Sequence, residues 1–596
     1  MTVSHNLQSS ATDIGDVPVE VVLPTHTNPS YEQRIIGKAS LINGIEEFRG
    51  IPYGIVPARW QHSSLRDRVP DDILYATKNG PRCPQEQEPN NSEYFQSHLD
   101  FPDDVAESEF DCLNLFITRP SASALDAVGI DPKLAKLPVY AYLHGGAYSF
   151  GAGTDPMWDP ARLVKRSVEV GTPILAATIN YRLGIFGFGA ASELIQVQPD
   201  GQLKGCNFGL ADQRVALRWV KRNIAAFGGN SNQITVGGQS AGGSSSHALI
   251  LESVFGKREP LAQRAIAQSG ALGVVGPVSM KVANERWAIF CDKIGAPDSD
   301  SSARLKFMTD VPAEDLVKTF HELNWLISPL VVDGLTILEK SNGRWDIRLD
   351  GNEEPVTDAP INDSEVISVL IGDTDLEGRM HFDSVSRITT FNQIEEKLAN
   401  KSPVEFLDEF YQVYGLHQNM STADIQKQLF HFLSDFQFGY PVQLAREELM
   451  QFGHSKKRQA SDPTARPTLV QSYRVNFGNP FPGLNFQQPH HCVDLIYIYD
   501  CFEEALNAVD ESLPAEVVKN RVLVRRMQDD WIRFIAAPLD TTQNESATNY
   551  NADRTTSIVN IKLDPEWCAR QKRFDLLSRY RHVASQVMGE LIRVEH

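Results

Sequence analysis

The sequence predicts an α/β protein built on a large, mainly parallel central sheet flanked by helices. Three observations carry that expectation. Short apolar runs of strand length recur along the chain, segments with helical spacing separate them, and no repeat or low-complexity linker interrupts the alternation. Strands that alternate with helices imply parallel pairing, because a parallel neighbour is reached only through a long crossover. The chain has 596 residues, 42 % hydrophobic and 22 % charged, enough to bury a sizeable core without disulfides or metals.

Taken in order, residues 1–30 are polar and turn-rich and read as a flexible tail, followed by one domain over 31–596. LPVYAYL, residues 137–143, reads as a buried strand that runs into His144-Gly145-Gly146, and ILAATIN, residues 174–180, as another. Ala216, Trp219, Val220, Ile224 and Phe227 recur at helical spacing, which predicts an amphipathic helix within 210–227. Residues 234–236, 366–371 and 469–477 are further strands, whereas 380–465 and 505–596 look mostly helical.

Charge excludes whole classes of partner. Lys and Arg number 56 against 76 Asp and Glu, a net charge of −20, so nucleic acid and anionic membranes would be repelled. No run of 18 apolar residues exists, so no integral membrane association is expected. The opening MTVSHNLQSSATDIGD lacks the basic and apolar regions of a secretory signal, which reads as cytoplasmic, or as a secreted protein without its leader. None of the seven cysteines lies in C-x-x-C, so neither a zinc site nor a redox pair is indicated. No metal and no cofactor is expected, and the sequence is silent on oligomeric state.

Two motifs carry chemistry. Gly238-Gln239-Ser240-Ala241-Gly242 follows a strand and precedes a small-residue helix, an arrangement in which the chain reverses sharply and presents the serine Oγ at the end of the sheet. His144-Gly145-Gly146-Ala147-Tyr148 follows an earlier strand. Such a loop supplies backbone N–H groups for a developing oxyanion, together with the residue after the nucleophile; the donors would be Gly145, Gly146 and Ala241. A serine nucleophile also needs a base and an acid to orient it. In chain order the acid comes from the loop GDTDLEG, which offers Asp373, Asp375 and Glu377, and the base from PHHCVDLIY, which offers His490 and His491. Spacing alone leaves both choices open.

These motifs, joined by FRGIPYG (Phe48 to Gly54), Asp111-Cys112-Leu113-Asn114, NYRLGIFGF (Asn180 to Phe188), the string from Phe208 to Asn230 and Val332-Asp333-Gly334, resemble the type-B carboxylesterase/lipase family, with fungal-type intracellular carboxylesterases most similar. The similarity runs from about residue 35 to beyond 535. It implies an α/β-hydrolase fold with helical insertions around a gorge. It also implies a triad of Ser240, Glu377 and His491, with Tyr148 and Gln239 lining the substrate site. Cys83 and Cys112 match the family's first disulfide, which a reducing compartment would keep open.

Departures from the family pattern qualify the substrate. Gln239 stands where the family has glutamate, which removes a negative charge beside the histidine. Residues 84–111 hold no tryptophan, which argues against a choline ester. The same segment carries Glu86, Glu88, Glu93, Asp100, Asp103, Asp104, Glu107, Glu109 and Asp111 with no Lys or Arg. That composition favours soluble, neutral or cationic esters over lipid droplets; its blander reading is a solvated acidic loop. The expected activity is hydrolysis of small-molecule carboxylic esters through an acyl-enzyme. The alternatives are an acyltransferase with the same triad and a non-catalytic interaction protein of the same fold.

Overall fold

Alternation along LPVYAYL sends Val139, Ala141 and Leu143 into one hydrophobic cluster and Tyr140 and Tyr142 into another, so this strand is buried on both faces. That pattern sets the architecture. The computed structural model describes residues 18–25, 31–86, 105–255, 260–298, 300–340, 345–351, 366–399, 401–452, 465–537 and 545–593. Thirteen strands form its main sheet. The chain enters it by β1 (Pro18–Pro24), β2 (Glu32–Ala39) and β3 (Ile45–Pro52), with short β4 (Ile73–Tyr75) beside β2 and β5 (Asn114–Pro120) beside β3. The centre is parallel: β6 (Leu137–Leu143), β7 (Leu175–Ile179), β8 (Gly229–Gln239), β9 (Arg264–Gln268), β10 (Ile367–Thr374), β11 (Thr468–Val475) and β12 (Ser546–Tyr550), in spatial order β7-β6-β8-β9-β10-β11-β12. β13 (Thr556–Asn560) closes the far edge antiparallel to β12.

The helices that matter for the site are α1 (Phe208–Asn223), α2 (Ala241–Phe255), α3 (Thr422–Ser434), α4 (Tyr440–Met450), α5 (Val493–Ile498), α6 (Asn520–Ala536) and α7 (Pro565–Arg579). α1 and α2 cover one face of the sheet, α5 and α6 the other. α3 and α7 belong to a third apolar cluster, around Phe430, Leu433, Phe574 and Leu577. No helix among the described residues is long and apolar enough to cross a membrane.

Several expectations change. The tail of residues 1–30 is shorter than expected, because Pro18–Pro24 pairs along its whole length with β2; residues 1–17 and 26–30 lie outside the described residues. The helix within 210–227 ends at Asn223 and continues as a 3₁₀ turn to Phe227. It is also not amphipathic. Most of its polar groups are buried, and its charged Asp212 and Arg214 are paired: Arg182 Nε and Nη2 donate to Asp212 at 2.7 and 2.8 Å, and Arg214 Nε donates to Glu252 at 2.7 Å. The stretch 505–596 is not all helix, since β12 and β13 form a hairpin inside it. Their sequences, SATNY and TSIVN, are too polar to show an apolar run. Inside the helical 380–465 stretch, a π-helical turn, Asp435–Gly439, separates α3 from α4.

Candidate active site

Ser240 sits between β8 and α2 with φ of 58°, in the left-handed region. A non-glycine residue held there is strained and needs anchoring. Ser240 N–H donates to the Gln268 carbonyl at 2.8 Å, and the Ser240 carbonyl accepts from Ser244 N–H at 2.9 Å. The turn is so tight that a side chain at Gly242 would strike the Leu143 carbonyl, and one at Gly238 would meet the backbone of Gly242. This is why the motif requires glycine on both sides of the serine.

The loop after β6 packs directly against this turn. A Cβ on Gly145 would stand 3.3 Å from Ser240 Cβ. His144 is buried, stacked on Tyr181 at 4.5 Å, and its pKa is lowered to about 4 by burial. Its carbonyl accepts from Tyr181 Oη at 2.8 Å, which fixes the start of the loop. The backbone then runs through positive φ at Gly146, Ala147 and Tyr148. The N–H groups of Gly145, Gly146, Ala147 and Ala241 have no hydrogen-bond partner among the described residues. Ala147 is thus a fourth available donor that sequence reasoning missed; its place after the second glycine of the motif was the only signal.

The acid loop selects among three carboxylates. Glu377 is fully buried, and its Oε1 accepts from Thr374 N–H at 2.7 Å. Its Oε2 accepts from His491 Nδ1–H at 2.5 Å. Asp373 and Asp375 are engaged elsewhere. Asp373 is held by Arg570 of α7, whose Nη1 donates at 2.9 Å, and Asp375 pairs with Arg474 of β11. Burial pushes the Asp373 carboxyl up and Arg570 offsets this. Arg570 also reaches Asp435 in the π-helical turn, where Gly439 leaves room for the guanidinium. Arg570→Ala would strand the buried Asp373 carboxylate, Asp435 keeping its pair with Arg573, and is expected to destabilise the fold by about 3–5 kcal/mol, read from the denaturant midpoint.

The two histidines have different surroundings. His490 is buried against Asn479, which lies 2.9 Å from its Nε2, and its pKa is lowered to about 3, chiefly by burial. It holds the loop. His491 packs its ring on Phe438 of the π-helical turn at 4.5 Å and turns Nδ1 to Glu377. Burial alone would depress its pKa, but Cys492 and Glu377 beside the ring more than reverse this, and the pKa lies well above the ordinary histidine value. The Cys492 thiol is itself raised by burial, which the neighbouring His491 partly offsets.

Gln239 and Tyr148 behave differently from one another. Gln239 Nε2 lies 3.2 Å from His491 Nε2, so this side chain reaches the reacting centre. Tyr148 is fully buried, stacked on Phe188 at 4.4 Å with its hydroxyl 2.9 Å from Ser245 Oγ. It props the loop from behind and does not line an open surface, which corrects the expected substrate contact. Beyond the loop, Ser149 and Phe150 border a cavity of about 190 Å³ walled by Phe186, Phe320 and Trp325. Ser328 ties that wall to the loop, its N–H donating to the Ala147 carbonyl at 3.1 Å.

Two further expectations are revised. Cys83 and Cys112 are free, buried thiols in contact with each other, not a disulfide. In the acidic segment, Glu107 pairs with Arg82 at 2.9 Å and Glu109 with Arg59 at 2.5 Å. Its charge is therefore partly neutralised by arginines from outside it. Glu88, Glu93, Asp100, Asp103 and Asp104 lie outside the described residues.

Comparison with known proteins finds esterase relatives along the chain. Para-nitrobenzyl esterase of Bacillus subtilis is 27 % identical over 554 residues, covering 90 % of this chain and 96 % of the relative. An inactive carboxylesterase-like protein of Byssochlamys spectabilis is 29 % identical over 299 residues, 49 % of this chain and 47 % of that protein. A solved carboxylesterase of Geobacillus stearothermophilus superposes with a TM-score of 0.63 at 22 % identity, covering 93 % of this chain and 99 % of that one, which shows the shared fold. The sequence profile of the carboxylesterase family matches residues 33–576, and a chain matched over so much of its length belongs to that family, the type-B carboxylesterase/lipase group, as a serine carboxylesterase.

Proposed function

We infer that the enzyme hydrolyses small-molecule carboxylic esters by two-step acyl transfer at Ser240. The observation that carries this reading is the 2.5 Å bond from His491 Nδ1–H to Glu377, which leaves Nε2 as the lone-pair nitrogen beside the nucleophile turn. Ser240 Oγ attacks the ester carbonyl carbon and its proton passes to His491 Nε2. The carbonyl oxygen becomes an oxyanion held by the N–H groups of Gly145, Gly146 and Ala241, with Ala147 within the same loop. The C–O bond then breaks, the alcohol leaves with the proton from His491, and the acyl group stays on Ser240. Water repeats the cycle: His491 takes its proton, the carboxylic acid is released and Ser240 is restored. Glu377 keeps the imidazole in the working tautomer and stabilises the imidazolium.

The aromatic cavity beside Ser149 and Phe150 supports an apolar acyl or alcohol group of modest size. The test is a series of p-nitrophenyl esters of increasing acyl length, with and without a serine-directed organophosphate. Stoichiometric release of acid, blocked by the organophosphate, is expected. Turnover that survives complete labelling would overturn the reading, and transfer to an added alcohol in place of water would reassign it to acyl transfer. Because the base must be neutral and its pKa is raised, the acidic limb of kcat/KM is expected above the ordinary histidine value of about 6.5. A profile measured over about pH 5–9 checks this.

A further inference from the structure

We propose that Gln239 is a positioning residue that caps the proton-accepting nitrogen of His491 while that ring is neutral, until substrate displaces the amide. This rests on the triad reading above. Because Nδ1–H is committed to Glu377, Nε2 carries the lone pair, and only the NH2 end of the Gln239 carboxamide can satisfy it at 3.2 Å. The other end of the carboxamide faces the oxyanion loop: a Cβ on Gly145 would stand 2.9 Å from Gln239 Oε1. The amide is therefore wedged between the loop that receives the ester oxygen and the ring that receives the serine proton. It occupies the acceptor that Ser240 O–H must use.

Two consequences follow from this geometry. A donor to the neutral imidazole disfavours protonation, so Gln239 pulls the His491 pKa down against Glu377. The cap also competes with Ser240, so serine activation requires the amide to move. A glutamate at this position could only accept, and would favour the imidazolium. The groups that face the ring are Glu377, Cys492, His490, Asp494, Phe438 and the nucleophile turn. Burial raises the Cys492 thiol and His491 offsets this, His490 is lowered to about 3, and Asp494 is raised to about 6 by burial. Glu377, Cys492 and, above about pH 6, Asp494 are thus the groups that act on it, and they are common to every variant compared.

The test compares wild type with Gln239→Met, which keeps the length without a donor, and Gln239→Glu. The readouts are the pH profile of kcat/KM for p-nitrophenyl acetate and the rate of labelling by a small organophosphate. The acidic midpoint is expected to rise by about 0.5–1 unit in the methionine variant and by about 1 unit or more in the glutamate variant. On the alkaline plateau, labelling of the methionine variant is expected to be about 2- to 10-fold faster. A methionine variant identical to wild type overturns the proposal, as does a midpoint that moves down, which would mean that the amide oxygen faces the ring. Gln239→Leu repeats the comparison should the methionine variant fail to fold. Ser240→Ala and His491→Ala are run alongside: if either keeps wild-type turnover, the triad reading fails, whatever Gln239 does.

Discussion

Ser240→Ala is expected to abolish covalent labelling by an organophosphate and to lower ester turnover by about 10⁴-fold or more, while the protein remains folded. The position tolerates alanine sterically, and the anchoring bonds of the turn are made by backbone groups: Ser240 N–H to Gln268 and its carbonyl to Ser244. Only the nucleophilic oxygen is lost. Residual turnover would come from the donors of Gly145, Gly146 and Ala241 acting on an attacking water. Mass spectrometry of the labelled protein checks this result directly. A mutant labelled at the wild-type rate would place the nucleophile elsewhere.

His491→Ala is expected to lower kcat on a similar scale, about 10⁴-fold, with KM little changed, because the imidazole acts in the transition state and not in ground-state binding. His490→Ala should keep most of its activity and lose stability, since His490 contacts Asn479 and its own loop rather than Glu377. The contrast between neighbours is the informative part. Both are titratable, His490 buried and His491 half-buried, yet only His491 is paired with a carboxylate. Steady-state kinetics beside a thermal melt separates the two effects, and an inactive His490 variant with intact stability would reverse the assignment.

How far the site was legible in sequence depends on what encodes each part. The serine turn and the oxyanion loop are encoded locally, because the backbone reversals at Gly238, Gly242 and Gly146 admit little but glycine. The central strands β6, β7, β10 and β11 and the end of β8 were equally plain as apolar runs, whereas the five-residue β9 was not read. The choice among Asp373, Asp375 and Glu377 was not local at all. It is made by Arg570 and Arg474, which lie on α7 and β11 and remove the two aspartates from contention. His490 and His491 are separated in the same way, by Asn479 on one side and Glu377 on the other. The edge strands β1, β12 and β13 escaped notice because a half-exposed strand with polar residues carries little apolar signal. The paired acids Glu107 and Glu109 misled for a related reason: their partners Arg82 and Arg59 stand outside the window over which charge was counted.

The spatial order of the central strands also governs how the enzyme comes into being on the ribosome. Gln239 and His491 touch across 252 residues of chain, and Glu377 and His491 across 114. At synthesis rates of about 5–20 residues per second, the serine turn emerges tens of seconds before the base that activates it. β9 follows β8 within about 25 residues, but its other neighbour β10 is synthesised about a hundred residues later still, so for much of that interval the growing sheet ends at β9. An unpaired edge in the middle of what will be a buried parallel sheet is a template for association with other chains. The nascent protein therefore carries its nucleophile early and harmlessly, but it is most vulnerable to aggregation while the sheet is half built, and a chaperone that shields the β9 edge would act before any esterase activity exists to report on folding.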